Sequence, residues 1–141
     1  MGSKSRLNEY IASVKDKPFV WGEHDCLIFS NNAFKAFHGF GYADDWIGRY
    51  MRDRANPLRR KELMLEFGFN SIEKALDNRM MQIPQRTQAG ALVTCKKYNR
   101  WITGVALGLS LGSRCLFLNK EGIFKINVEE TDKAWWPNGE Q

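Results

Sequence analysis

The sequence predicts an α+β domain in which helices come first and an antiparallel β-meander follows. Apolar residues recur at helical spacing in most segments as far as residue 79. Short strand-like runs rich in β-branched and aromatic residues begin after Gly90. A chain of 141 residues is long enough to bury one core, so we interpret residues 1–141 as a single domain.

The first two helices are the most clearly marked. Residues 5–16 carry apolar side chains at positions i, i+3, i+4 and i+7, the stripe of an amphipathic helix, and Pro18 closes it. A second helix is predicted over residues 26–38, between Asp25, a strong N-cap residue, and Gly39, a natural stop. Its side chains are apolar on much of its circumference, which is typical of a central helix.

The remaining predicted segments are shorter. Between residues 40 and 88 we expect a turn from Asp44 or Asp45 to Tyr50, a helix opened by Asn56-Pro57 and ended by Gly68, and a helix from Ser71 to about Arg79. The predicted strands cover residues 91–95, 101–109, 114–119 and 122–128, with residues 134–136 as an added edge strand.

Composition argues against several classes of protein. No apolar run approaches the roughly 18–20 residues of a membrane-spanning helix, and the N-terminus lacks the apolar region of a signal peptide. We therefore expect the chain to be made and folded in a cytoplasm. Three cysteines without a CxxC pair argue against a disulfide framework and a structural zinc site, and we expect no cofactor. Cys95 and Cys115 lie in apolar runs and are expected to be buried.

The formal net charge of +5 is concentrated in one short stretch. A basic patch of this kind is able to meet nucleic acid, an anionic cell-wall polymer or an acidic protein, whereas the simplest alternative is the solvated face of a helix. The residues of this basic stretch, which we treat as a candidate partner-binding patch, are Arg49, Arg52, Arg54, Arg59, Arg60 and Lys61.

Cys26 stands in the first turn of the second predicted helix. The partial positive charge of a helix N-terminus favours the thiolate, and the free backbone N–H groups there bind a developing oxyanion. We expect Cys26 to be an exposed thiol at the N-terminus of this helix. Such a thiol has the geometry of a cysteine nucleophile, although many inert cysteines occupy the same position.

The residues around Cys26 carry a family resemblance. The run Phe-Val-Trp-Gly-Glu-His-Asp-Cys at residues 19–26 is similar to the Trp/Tyr-Gly…Asp-Cys segment of the NlpC-like cell-wall peptidases, a papain-like superfamily. The resemblance implies a papain-like fold in which Cys26 opens a central helix that packs on the C-terminal meander. It further implies that Cys26 attacks an amide in peptidoglycan stem peptides and that Trp21 and Gly22 line the substrate groove.

The resemblance is closer to a branch of this superfamily found in phages and prophages. That branch has Phe-x-Trp-Gly-x-x-Asp-Cys, a small residue-Gly pair, here His38-Gly39, a Gly-Val-x-x-Gly strand, here within residues 103–108, and an aromatic C-terminus, here near Ala134-Trp135. Ala-Gly-Ala-Leu-Val at residues 89–93 and Thr-Gly-Val-Ala-Leu-Gly at residues 103–108 also resemble two strands of the family as a whole. Together they span nearly the whole chain, although only residues 19–26 are specific.

Two departures from the family pattern bear on catalysis. Ile102 stands where the family has its catalytic histidine, and Ala91 replaces the usual aspartate of the first strand. Papain-type chemistry needs a group that takes the thiol proton and returns it to the leaving amine.

Of the two histidines, His38 lies twelve residues beyond Cys26 on the same predicted helix, about 18 Å away at about 1.5 Å per residue. His24 is the remaining candidate base, with Asp25 or Glu23 holding its other nitrogen. In the alternative reading, His24 is a structural loop residue and Asp25 is only the helix cap.

Three functions remain open. The first is a phage virion protein of the tail or neck whose degenerate NlpC-like domain acts mainly as a structural or docking module, made in the host cytoplasm and then carried in the virion. The second is a peptidoglycan-directed cysteine hydrolase that uses Cys26 with His24 as an atypical base. The third, nucleic-acid binding, rests on charge alone.

Each function implies different partners. Other virion proteins are the expected partners, with peptidoglycan an alternative and an oligomer within a virion left open. The tryptophans Trp101, Trp135 and Trp136 supply either an exposed interaction surface or core.

Overall fold

A computed structural model describes residues 2–54, 56–69, 71–98 and 104–138, and it confirms the α+β class. The helices are α1 (Ser3–Val14), α2 (Cys26–His38), α3 (Arg60–Phe67) and α4 (Ile72–Arg79), with 3₁₀ turns at Asp44–Trp46 and Val128–Glu130. The strands are β1 (Met80–Ile83), β2 (Leu92–Cys95), β3 (Ala106–Ser110), β4 (Arg114–Asn119), β5 (Gly122–Asn127) and β6 (Lys133–Pro137).

The strands form one antiparallel sheet in the order β1-β6-β2-β3-β4-β5 within the described residues. The predicted meander corresponds to β2 through β5, although residues 101–103 of the first long predicted strand lie outside the described residues. The prediction that residues 134–136 form an edge strand is wrong, because β6 pairs with β2 on one side and with β1 on the other. Strand β1, which the sequence did not indicate, occupies that edge.

Helix α2 has the predicted limits. The Asp25 side chain accepts a hydrogen bond from the backbone N–H of Ile28 (2.9 Å), so the first turn is capped as expected. Gly39 ends the helix with φ of +93° and donates its N–H to the carbonyl of Lys35 (2.8 Å).

Helix α3 begins later than predicted. Asn56 donates its backbone N–H to the Asp53 carboxylate (3.2 Å), and Pro57 forms an isolated β-bridge with Met51. Asn56-Pro57 is therefore part of a local turn, and the helix starts only after Arg59, whose N–H donates to the Glu62 carboxylate (3.0 Å). The expected turn from Asp44 to Tyr50 is confirmed, because a 3₁₀ turn at Asp44–Trp46 is continued by hydrogen-bonded turns as far as Tyr50.

Side chains alternate between the two faces of the sheet, and each face has its own core. Helix α2 packs on β3 and β4, so Phe34, Leu107 and Trp135 meet in a cluster on the helix-facing side. The opposite face buries a second cluster that includes Val93, Phe117 and Ala134. The expected packing of the cysteine-bearing helix on the C-terminal sheet is confirmed.

The two remaining cysteines and the tryptophans divide between these clusters. Cys95 and Cys115 are fully buried on the second face, as expected. Trp135 is fully buried and donates its indole N–H to Asp77 (2.8 Å), whereas Trp136 is half-buried on the opposite face. Trp101 lies outside the described residues.

Candidate functional site

The loop before α2 is folded tightly against the start of the helix. His24 and Val20 form an isolated antiparallel bridge, with N···O distances of 2.8 and 3.0 Å between their backbone groups. Gly22 turns the chain inside this loop with φ of +83°, and its N–H donates to the Asp25 carboxylate (2.8 Å). Trp21, next to it, packs against the helix-facing core. The loop therefore delivers Asp25 and Cys26 to the helix start in a fixed position.

Asp25 is the most heavily hydrogen-bonded residue of the site. Its side chain is fully buried and accepts the backbone N–H groups of Gly22 and Ile28 and the hydroxyl of Tyr50. A buried carboxylate with three donors is well compensated for the loss of water. This arrangement makes Asp25 a structural centre that joins the loop, the helix and the segment around Tyr50.

A second tyrosine extends this polar cluster along α2. The hydroxyl of Tyr42 shares a hydrogen bond with Ser30 (2.7 Å), and both residues are buried. Burial is the largest cause that raises the pKa of Tyr42 and of Tyr50, and the Asp25 carboxylate raises both further. Both phenols therefore remain protonated donors at neutral pH.

The sequence did not indicate either tyrosine. A buried tyrosine needs a partner for its hydroxyl, but nothing in a single sequence tells which partner it meets across 12 or 25 positions, the separations observed here.

Cys26 is the first residue of α2, as predicted, but the expectation of an exposed thiol is wrong. The residue is only 7% exposed and packs in the helix-facing core. Burial raises the pKa of the thiol well above its ordinary value, and the Asp25 carboxylate raises it further. The backbone N–H groups of Leu27 and Cys26 oppose this only in part. Cys26 is therefore held as a neutral thiol.

His24 is also buried, at 2% exposure. Its ring stands edge-on to Phe29, 6.2 Å between centroids, and its Nε2 atom has no hydrogen-bond partner among the described residues. Burial is the largest cause that lowers the pKa of His24, Lys17 lowers it further, and Asp25 opposes them. Glu23 is exposed. The role of His24 as a base for Cys26 stays a prediction.

His38 lies at the far end of α2, as expected. Its Nε2 atom is 2.8 Å from the carbonyl oxygen of Gly90, and its ring packs edge-on against Trp136. The imidazole therefore ties the end of α2 to the sheet and takes no part in the cluster around Cys26.

The chain departs from the family pattern at Ala91 and Ile102, and of these two positions the structure describes Ala91. Ala91 is fully buried in the apolar cluster of the second sheet face, so a carboxylate in that place would lose its water. Ile102, aligned with the family histidine, lies outside the described residues.

All six side chains of the basic stretch are exposed, but two are paired. Arg49 binds the Glu66 carboxylate (3.1 Å) and lies over the ring of Phe67, and Arg52 forms an ion pair with Glu62. For the other four, Arg54, Arg59, Arg60 and Lys61, no ion pair is found within the described residues.

Comparison with known proteins gives one family. Residues 2–136 match a family described as a domain of unknown function, DUF6950. The chain belongs to the DUF6950 family. No curated protein and no solved structure shows a significant match to this DUF6950 chain.

Two other kinds of feature are absent from the described part of this DUF6950 chain. Among the described residues, no three His, Cys, Asp or Glu side chains come together as a metal site. No helix in the described ranges is long and apolar enough to cross a membrane. The features of the site are thus a neutral buried thiol and a hydrogen-bonded helix cap, and the basic stretch is exposed.

Proposed function

We propose that this DUF6950 chain is a bacteriophage virion-associated protein of the tail or neck, made in the host cytoplasm, whose NlpC-like, papain-type domain acts mainly as a structural or docking module. The single observation that supports it most is the state of Cys26. A nucleophilic cysteine has to be accessible and to ionise easily, whereas this thiol is buried and its pKa is raised.

The hydrogen bonds of Asp25 support the same reading. In a catalytic arrangement, this carboxylate would be available to orient an imidazole. Here its oxygens accept the N–H groups of Gly22 and Ile28 and the hydroxyl of Tyr50. The polar groups around the thiol therefore stabilise the fold, and we interpret them as what remains of a catalytic site that is no longer active.

The phage assignment rests on the sequence. Residues 19–26 resemble the phage and prophage branch of the NlpC-like superfamily, and the weaker segments farther along the chain add to this resemblance. The observed order, with a cysteine-bearing helix followed by a sheet on which it packs, agrees with what that resemblance implies.

The test is the location of the protein in particles of the phage or prophage that encodes it. Purified virions are separated from free protein on a density gradient and probed for the chain by mass spectrometry. We expect the protein to co-purify with particles, and we expect particles made without it to lack a tail or neck component. Its absence from purified particles that remain infectious would contradict the proposal.

The second candidate is the peptidoglycan-directed cysteine hydrolase. The observation that favours it is the buried Nε2 of His24, two residues before Cys26 and without a hydrogen-bond partner in the described structure. Release of soluble peptides from purified cell wall measures this activity. We expect none above background for the wild-type chain, and activity that is lost in both Cys26→Ala and His24→Ala would establish the hydrolase instead.

A further inference from the structure

An open groove of about 850 Å³ lies between α3 and α4, away from the cluster around Cys26. Its size is comparable to that of binding clefts in general. The residues that line it are Lys61, Met64, Leu65, Gly68, Phe69, Lys74 and Asn78.

Part of the groove's lining is apolar because α3 carries apolar residues on two sides. Leu63 and Phe67 face the core, where Leu63 is buried and Phe67 packs against Trp46. Met64 and Leu65 face the groove, and Leu65 is 86% exposed. A leucine this exposed, beside other apolar side chains in a concave surface, is typical of a surface that a partner covers.

The charges around the groove are not balanced. The carboxylates of α3 and α4 already have partners, since Glu62, Glu66 and Glu73 pair with Arg52, Arg49 and Lys133 respectively, and Asp77 accepts the indole N–H of Trp135. In contrast, no carboxylate lies within ion-pair distance of Lys61 or Lys74 among the described residues. The lining of the groove therefore combines apolar side chains with two lysines that form no ion pair among the described residues.

We infer that this groove is the docking site for an acidic amphipathic helix of a partner protein. Two adjacent helices leave a channel in which a third helix lays its apolar face, here on Met64, Leu65 and Phe69. Acidic residues on the flanks of that helix meet Lys61 and Lys74. The inference rests on the proposed docking role and names its surface and the chemistry of its partner.

Nucleic acid fits this groove less well. Phosphates seek closely spaced cations and hydrogen-bond donors, whereas the groove has two lysines, on different helices, and a lining that also includes the apolar Met64 and Leu65. A second copy of the chain also fits less well. It would have to present an acidic helix with an apolar face, but the exposed faces of its own α3 and α4 carry the same lysines.

The inference is tested with a synthetic peptide of about 15 residues, long enough to form a helix on binding. One face carries Leu and Phe and the flanks carry Glu, and a twin peptide carries Lys in place of every Glu. Fluorescence anisotropy should show micromolar binding of the acidic peptide and binding of the twin weaker by about tenfold. Higher salt should reduce the difference, because it screens exposed charges.

Two variants and two matched controls assign the binding to the groove. Leu65→Ser and the pair Lys61→Glu with Lys74→Glu should each weaken binding by about tenfold. Met81→Ser removes another exposed apolar side chain, on β1, and Lys120→Glu with Lys125→Glu makes the same charge change near the β4–β5 hairpin. These controls should stay within about twofold of wild type.

Three results of the binding experiments would overturn the inference. The first is equal binding of the two peptides, and the second is equal binding of the acidic peptide by the groove variants and the control variants. The third is evidence that the groove binds a different partner, namely a DNA shift or a self-association of the chain that only the groove variants abolish. Absence of the chain from virions while the acidic peptide still binds would reject the virion role alone. Groove variants that no longer bind the peptide but still enter virions normally would reject the groove as the docking site and leave the virion role in place.

Discussion

A cysteine that begins a helix is subject to opposing influences on its ionisation. The helix N-terminus and its free N–H groups favour the thiolate, typically by about 0.3–1 kcal/mol at exposed positions, which corresponds to about 0.2–0.7 pKa unit. Burial acts in the other direction and shifts a fully buried group by up to about 3–5 pKa units. At Cys26 burial is the largest cause and the Asp25 carboxylate adds to it. The helix position alone therefore does not make the thiol reactive.

We expect Cys26 to resist alkylation in the folded protein. All three cysteines are buried, and burial also raises the pKa of Cys115 to about 11. Iodoacetamide at neutral pH should leave the native chain unmodified over a time in which the urea-unfolded chain takes up three labels, as measured by intact mass. Rapid and selective labelling of Cys26 in native conditions would show that the thiol is accessible and ionised.

Tyr50→Phe should destabilise the fold through Asp25. The substitution removes one of the donors to a fully buried carboxylate and keeps the aromatic ring. Hydrogen bonds to charged groups contribute about 1.5–3 kcal/mol, so we expect a loss of that size in the free energy of unfolding measured with urea. Tyr98→Phe is the matched control, because the Tyr98 hydroxyl is 3.5 Å from the Glu130 carboxylate, which is less buried than Asp25 and already paired with Lys97. Equal effects of the two substitutions would mean that Asp25 does not depend on Tyr50.

Stability should fall as the pH decreases through the histidine range. The fold holds the pKa of His24 below its ordinary value of 6.5, chiefly because the ring is buried. The unfolded chain then binds more protons than the folded chain, so this stability is fully present above about pH 6.5 and is lost below it. His38 acts with the same sign, since burial also lowers its pKa.

The measurement for His24 is urea unfolding at about pH 7.5 and about pH 5.5, above the range in which ordinary carboxylates titrate. His24→Phe keeps the aromatic contact with Phe29 and removes the titrating ring, so it should lose less stability between the two pH values than wild type. His38→Phe should leave the His24 part of the dependence intact. A pH dependence unchanged in His24→Phe would show that His24 does not titrate differently on folding.

The β3–β4 pair depends on a close approach of two backbones. A Cβ atom on Gly108 would collide with the carbonyl oxygen of Leu116 and with the ring of Phe117. Gly108→Ala should therefore force the two strands apart and cost about 1–3 kcal/mol in the free energy of unfolding.

Gly39→Ala provides the comparison for Gly108. Its Cβ would meet nothing within 4 Å, so only the left-handed backbone at φ of +93° opposes it, at about 1 kcal/mol. Retention of β3–β4 amide protection in Gly39→Ala but not in Gly108→Ala, measured by hydrogen exchange, would separate the two causes. Equal protection in both variants would contradict the close approach.

The sequence was most informative where a segment is specified locally. Helix α2 has its cap at Asp25 and its stop at Gly39, so its limits follow from chemistry within a few residues. Strand β1 has no such signal. Its sequence, Met-Met-Gln-Ile, does not alternate between apolar and polar residues, and the strand is defined only by its pairing with β6, more than fifty positions away. The position of β6 inside the sheet follows from the same pairing and was missed for the same reason.

The candidate site shows the same division. The N-cap role of Asp25 was predictable, because it involves the residues that follow it directly. The contribution of Tyr50 to that carboxylate and the burial of Cys26 were not, since both depend on segments that meet only when the helix packs on the sheet. Local sequence therefore indicated the cap at Asp25 and the position of Cys26 in the first turn of α2, but not the burial that keeps its thiol neutral.

The helix-facing core connects the two halves of the chain. Leu7 and Phe34 from the N-terminal helices share one buried cluster with Leu92, Leu107 and Trp135 from the sheet. Neither half buries these side chains alone, and fully burying a large apolar side chain contributes about 1.5–3 kcal/mol. We therefore expect the helices and the sheet to unfold together.

Leu107→Ala tests this coupling. The substitution leaves a cavity in the shared cluster and should cost about 2–5 kcal/mol, whereas Leu65→Ala, on the exposed side of α3, should change stability by less than about 0.5 kcal/mol. Urea unfolding is followed by far-UV circular dichroism, dominated by the helices, and by fluorescence of the tryptophans, which include the sheet residue Trp135. Both signals should shift equally, because the mutated strand and the helices share one core. A helical transition that stays at the wild-type midpoint while the fluorescence shifts would show that the two halves are independent units.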